Sequence, residues 1–152
     1  MRYYLIDRIS EIEKNVRARG IKNVSMTEDF FTEHFPQHPI MPGLLMMEGL
    51  VQLSSWLISF STDFKKMGLL QNISAAKYWN LATPGDQLIL TTEIKNVKND
   101  SEMDFKGEVS RENQKIVTTQ FTLKIADLEI YESEAEARKL YAILTNTIKG
   151  ME

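Results

Sequence analysis

The side chains that could do acid–base chemistry cluster in one short window of the chain. Only two histidines occur, His34 and His38, and there is no cysteine. A thiol nucleophile, a disulfide framework and a thiolate zinc site are therefore excluded. Two imidazoles four residues apart could hold a metal ion on a helix. Here Pro36 and Pro39 forbid a helix across them, and no glutamate follows His34 in the metalloprotease pattern. No metal site is expected. Ten residues beyond His38 stands Glu48, flanked by Leu44, Leu45, Met46, Met47, Leu50 and Val51. An unpaired carboxylate in such surroundings is costly and responds by holding its proton. Glu48 is then either a structural group hydrogen-bonded to a neighbour such as Gln52, or a functional acid with a perturbed ionisation. Gly43 favours the second reading. It stands where a helix begins, so unpaired N–H groups and the helix dipole favour negative charge there. Glycine also lets a ligand approach the backbone closely. An imidazole, an oxyanion-type donor and a carboxylic acid suit proton abstraction beside a carbonyl, with electrophilic help and a general acid.

Those groups need elements to position them. Glu28–Pro39 has aromatic residues and two prolines and is expected to be an ordered loop carrying His34. Pro42 and Gly43 launch a helix, since proline costs nothing in a first helical turn. From there to about Phe60 the apolar residues are almost continuous, as in a helix covered on most sides. Glu48, Gln52, Ser55 and Ser59 are spaced 4, 3 and 4 apart and form one polar stripe. Before this helix the chain reads as short strands and turns, with alternation near Arg17–Val24. After Leu70 the period changes. Met103, Phe105, Gly107 and Val109 alternate with polar residues, as do Val117, Thr119, Phe121, Leu123 and Ile125. Gln87–Val97 is a third long strand, preceded by the turn Pro84–Gly85–Asp86. The connections Lys98–Ser101 and Arg111–Gln114 suit antiparallel hairpins. An α+β fold follows: a curved antiparallel sheet around one long central helix. Ser133 and Glu136 form a capping box, and Ala137, Leu140, Tyr141, Leu144 and Ile148 continue at helical spacing to Gly150. This predicts an extra amphipathic C-terminal helix, packed on the sheet or on a neighbouring subunit.

With 152 residues, one domain is expected. We read residues 1–132 as the domain proper and 133–150 as its helical extension. The chain is 43% hydrophobic and 26% charged, a globular composition. A net charge of -3 argues against a general nucleic-acid binder. The apolar patch at the start is too short for a secretory signal. Residues 39–62 approach the ~20 residues that span a bilayer, but open with Pro39, Pro42 and Gly43 and carry Glu48, Gln52 and four serines. A helix buried inside a protein, with no membrane span, is expected.

The segment HFPQHPIMPGLLMMEGLVQ closely resembles the signature of the FabZ-type 3-hydroxyacyl-[acyl-carrier-protein] dehydratases, of the hotdog-fold superfamily. LIDRISEIE, IKNVSMTEDFF and TPGDQLIL resemble that family's flanking segments in order and spacing, so the likeness covers roughly residues 5–125. The resemblance implies a hotdog fold, and dehydration of (3R)-3-hydroxyacyl thioesters to trans-2-enoyl thioesters in fatty acid or related lipid or polyketide biosynthesis. It implies His34 as catalytic base, Glu48 as catalytic acid, and the Gly43 N–H as the donor that polarises the thioester carbonyl. Gln52 matches a glutamine that orients the acid, and His38 is expected to hold the loop. The resemblance further implies no cofactor, an acyl carrier protein as the partner bringing the 3-hydroxyacyl chain, and a cytoplasmic enzyme. Its active site is completed across a homodimer, histidine from one subunit and acid from the other, with a trimer of dimers as the larger assembly.

Three features depart from the family's pattern. Glu33 replaces the usual glycine before His34. Lys77, Tyr78, Trp79 and Asn80 stand where the family carries an arginine-containing strand. The helix from Ser133 lies beyond the family's usual end. Two other functions fit the same pocket: a hotdog acyl thioesterase or isomerase, and a non-catalytic acyl-binding hotdog subunit. Intact His34, Gly43 and Glu48 favour elimination over both.

Overall fold

Alternating core residues organise the sheet. The structure is a computed structural model and describes residues 3–147. Six strands form one sheet: β1 (Arg8–Glu13), β2 (Arg17–Asn23), β3 (Lys66–Tyr78), β4 (Gln87–Asn99), β5 (Glu102–Arg111) and β6 (Gln114–Asp127). Their order is β1-β2-β4-β5-β6-β3, and every neighbouring pair is antiparallel. Helix α1 (Gly43–Ser61) packs along this curved sheet. Leu50, Leu53 and Leu57 are fully buried with Leu88, Leu90, Phe105, Phe121 and Leu123. Each such side chain contributes about 1.5–3 kcal/mol by leaving water. Phe105 and Phe121 are register partners and stack at 5.7 Å. The helix comes close enough that a Cβ at Gly107 would lie 2.9 Å from Leu50 Cδ1.

The predicted alternation holds in β5, where Phe105, Gly107 and Val109 face the core. It holds in β6 for Val117, Thr119, Phe121 and Leu123. Ile116 and Thr122, of opposite phase, are buried too; Thr122 Oγ1 donates to Asp104 Oδ1 at 2.6 Å. The β5–β6 turn places Glu112 and Asn113 at φ 46° and 67°. Both central residues are left-handed, the type I′ geometry that matches strand twist and prefers Asn-Gly. Introducing that pair (E112N with N113G) is expected to stabilise the fold by about 1 kcal/mol, a Tm rise of roughly 2–4 °C by calorimetry.

The alternation gave no sign of strand β3, and the resemblance implied a strand only around Lys77–Asn80. From Leu70 to Trp79 every residue is exposed, including Leu70, Ile73, Tyr78 and Trp79. An edge strand with β6 on one side only has no buried face in this region, so its sequence shows no alternation. Its outer edge is unpaired among the described residues.

Helix α2 (Glu134–Leu144) begins as expected, with Ser133 Oγ accepting the Glu136 N–H at 3.5 Å. It docks on its own chain, at the C-terminal end of α1. The Tyr141 ring lies 5.9, 5.7 and 5.2 Å from the rings of Trp56, Phe60 and Phe64. Arg138 donates to Glu134 and to Asp63 Oδ1. The helix stops at Leu144 rather than Gly150, because Asn146 at φ 56° takes the left-handed terminating position. Ile148 and Gly150 lie outside the described residues. By length and composition α1 could cross a membrane, but 56% of its apolar window is buried inside the fold. Packing on the sheet accounts for its apolarity.

Candidate active site

His34 is held by its own loop. A short 3-10 turn, Asp29–Thr32, buries Phe31, and Phe30 O accepts the His34 N–H at 2.9 Å. The Ile40 N–H donates back to His34 O at 3.1 Å, and His34 Nδ1 lies 3.0 Å from Ile40 O. A neutral imidazole in this arrangement donates from Nδ1–H and keeps its lone pair on Nε2. That is the tautomer a general base requires. The ring is half-buried and stacks on Phe35 at 4.3 Å.

The backbone of His38, rather than its ring, closes the loop. The His38 N–H donates to Phe35 O at 3.0 Å and the Phe35 N–H donates to His38 O at 3.3 Å. The side chain of His38 is exposed. So is Glu33, whose carboxylate forms no ion pair among the described residues.

Gly43 is the first residue of α1, with Pro42 as its N-cap. No backbone carbonyl accepts the Gly43 N–H among the described residues, as expected at a helix start. A Cβ here would lie 2.6 Å from Tyr78 Cε1. Tyr78, at the end of β3, therefore stands against the helix N-terminus, and partial burial pushes its phenol above the usual range. Gly43→Ala would press on this ring and obstruct the approach to the N–H. A fall in kcat of about 10-fold or more is expected, read by steady-state kinetics on a thioester.

Glu48 is half-buried and not alone. Its Oε1 accepts Gln52 Nε2–H at 3.1 Å. Gln52 in turn donates to Tyr3 O at 2.9 Å and accepts the Leu5 N–H at 3.1 Å. The segment Tyr3–Leu5 thus fixes the amide that fixes the carboxylate. Farther along the stripe, Ser55 Oγ accepts the Gly68 N–H at 3.0 Å and Ser59 donates to Lys66 O at 2.9 Å. These serines fasten β3 to α1. A groove of about 240 Å³ follows the stripe, lined by Tyr3, Tyr4, Gln52, Trp56, Met67 and Leu140. Within one chain, His34 and Glu48 form neither a hydrogen bond nor an ion pair.

The places of two residues were not read from the sequence. Tyr78 stood out there only as part of Lys77–Asn80, with no link to Gly43, because the strand that presents it shows no alternation. Lys22 gave a signal: it takes the core-facing phase of β2, between Gly20 and Val24, where an aliphatic residue belongs.

Residues 1–120 match the model of the FabA-like domain family. Over 97 residues the chain is 43% identical to the 3-hydroxyacyl-[acyl-carrier-protein] dehydratase FabZ of Caldanaerobacter subterraneus, covering 63% of this chain and 69% of that protein. It is 40% identical over 97 residues to the same enzyme from Syntrophomonas wolfei, covering 63% and 67%. Solved structures share the fold at low identity. A Streptococcus mutans protein bound to acetyl CoA aligns with TM-score 0.64 and 15% identity, covering 84% of this chain and 94% of that one. The dehydratase heterocomplex ApeI:P from Xenorhabdus doucetiae aligns with TM-score 0.56 and 19% identity, covering 75% and 92%. The fluoroacetyl-CoA thioesterase FlK aligns with TM-score 0.64 and 13% identity, covering 86% and 98%.

Proposed function

Because the chain belongs to the FabA-like family and is of its FabZ type, we propose that it removes water from (3R)-3-hydroxyacyl thioesters carried on acyl carrier protein, giving trans-2-enoyl thioesters in fatty acid biosynthesis. It is a hydro-lyase of the hotdog fold. The observation that carries this reading is identity of about 40% with several FabZ dehydratases, together with the family match over residues 1–120, a range that holds His34, Gly43 and Glu48.

Each of these groups takes one step in the reaction. Nε2 of His34 takes the proton from C2 of the substrate. The Gly43 N–H donates to no backbone carbonyl among the described residues, so it is free to donate to the thioester oxygen as enolate charge develops. Glu48 acts as the acid and gives a proton to the 3-hydroxyl. The C3–O bond breaks, the C2–C3 double bond forms, and water leaves. Gln52 holds the carboxyl of Glu48 in place, and the backbone of His38 shapes the loop around His34.

Each centre in this reading draws His34 from one copy and Glu48 from a second. Strand β3 supports it, offering a second copy an edge unpaired among the described residues, with Leu70, Ile73 and Tyr78 exposed beside it. We propose a homodimer in the cytoplasm as the working unit, with three dimers as the larger assembly. Residues 1–132 form the dehydratase domain and 133–150 its extension.

The competing thioesterase reading shares only the fold. A parallel assay separates the two. The protein is incubated with 3-hydroxybutyryl and longer thioesters, on acyl carrier protein and on pantetheine. Enoyl absorbance and free thiol are then followed together. Enoyl signal without thiol release is expected; thiol release without enoyl signal would indicate a thioesterase, and silence in both an acyl-binding subunit.

A further inference from the structure

Lys22 is the only charged side chain buried among the described residues, and the mechanism above gives it no step. It shares a small apolar cavity with Leu5, Met41, Leu45 and Leu88. Taking an ammonium out of water is costly unless carboxylates meet it. Two do, and neither comes from β2: Glu28 Oε1 at 2.5 Å and Asp7 Oδ1 at 3.6 Å.

These carboxylates lead to opposite parts of the chemistry. Glu28 precedes the 3-10 turn at its N-cap position, its O accepting the Phe31 N–H, and Phe30 O of that turn accepts the His34 N–H. Asp7 closes the N-terminal segment, where Leu5 and Tyr3 hold Gln52, and Gln52 holds Glu48. Asp7 is itself fixed, with Oδ2 accepting the Asn23 N–H at 2.6 Å and its own N–H donating to Ile21 O at 2.8 Å. Lys22 thus ties together two backbone segments, one carrying the base and the other holding the amide that holds the acid.

We propose that Lys22 is a positioning residue that sets both half-sites of one chain, His34 through Glu28 and Glu48 through Asp7. This rests on the reading that each centre is shared by two copies. On that reading the two arms of one lysine serve two different centres of the dimer. A fully exposed pair would be screened and worth little; here the ammonium is buried while both carboxylates reach the surface, so the lysine depends on the two segments keeping their places.

Mixed dimers test the assignment. A His34→Ala chain and a Glu48→Gln chain are co-expressed with different tags and purified through both. One centre then keeps a native His34, from the Glu48→Gln chain, and a native Glu48, from the His34→Ala chain. The other centre lacks both groups. Glu28→Gln in the chain with the working His34 is expected to lower kcat about 10-fold or more. KM for a short thioester should stay within about twofold. Placed in the other chain, the same substitution is expected to change kcat less than about twofold. Asp7→Asn should show the reverse pattern. Lys22→Met should lower kcat from either chain, and Lys22→Arg should recover part of it. Thermal unfolding is recorded for every species, since a purely structural loss would not depend on which chain carries the change. Equal effects of Glu28→Gln from both chains, equal effects of Asp7→Asn from both chains, or no effect of Lys22→Met, would overturn the role of Lys22 while leaving the shared centre standing. An inactive unsubstituted mixture would overturn the shared centre, and the two-centre assignment with it.

Discussion

Replacing His34 with alanine is expected to lower kcat for dehydration by about 10³-fold, roughly 4 kcal/mol of barrier, with KM nearly unchanged. The chain contains one other histidine and no cysteine. His38 cannot substitute, because its ring is exposed and its contribution to the loop is made by the backbone. The local fold should survive, since the hydrogen bonds that shape the loop run through the backbone of Phe30, His34 and Ile40. Only the imidazole and its bond to Ile40 O are lost. Steady-state kinetics with circular dichroism on the same sample checks both parts. A variant that keeps more than about a tenth of the activity would remove His34 from the role of base.

Glu48→Gln is expected to cost about 10²–10³-fold in kcat. The substitution keeps the size of the side chain and its capacity to accept from Gln52, but an amide cannot give up a proton to the leaving hydroxyl. Gln52→Ala should cost less, about 10-fold. There the carboxyl remains while its tie to Tyr3 and Leu5 is gone. The ordering of the two variants matters more than either value. A loss at Gln52 equal to that at Glu48 would mean that the amide, rather than the carboxyl, meets the substrate.

The parts of this molecule that could be read from the sequence are those where one face is buried and the other wet. In β5 and β6 the period of two follows from Phe105, Val109, Phe121 and Leu123 facing the core while Lys106, Gln120 and Lys124 meet water. Helix α1 was legible from Pro42 and Gly43 and from its nearly unbroken apolar run. Its polar stripe was legible too, but not its division of labour. Spacing cannot say that Glu48 and Gln52 turn to the N-terminal segment while Ser55 and Ser59 fasten β3. Strand β3 itself was hidden because its outer half is buried by nothing in its own chain. With it went Tyr78, whose place beside Gly43 depends on a long-range pairing with β6. The end of α2 was misplaced for a local reason: Asn146 adopts the left-handed geometry for which Gly150 seemed the natural candidate.

The role assigned to His34 can be tested most directly in the reverse direction. A trans-2-enoyl thioester is incubated with the protein in deuterium oxide, and the product is followed by nuclear magnetic resonance. The wild-type chain is predicted to form the 3-hydroxyacyl thioester with one deuterium at C2, delivered from His34 Nε2, and the His34→Ala chain to form neither product nor label. Hydration with deuterium at C2 in the His34→Ala chain would contradict the account.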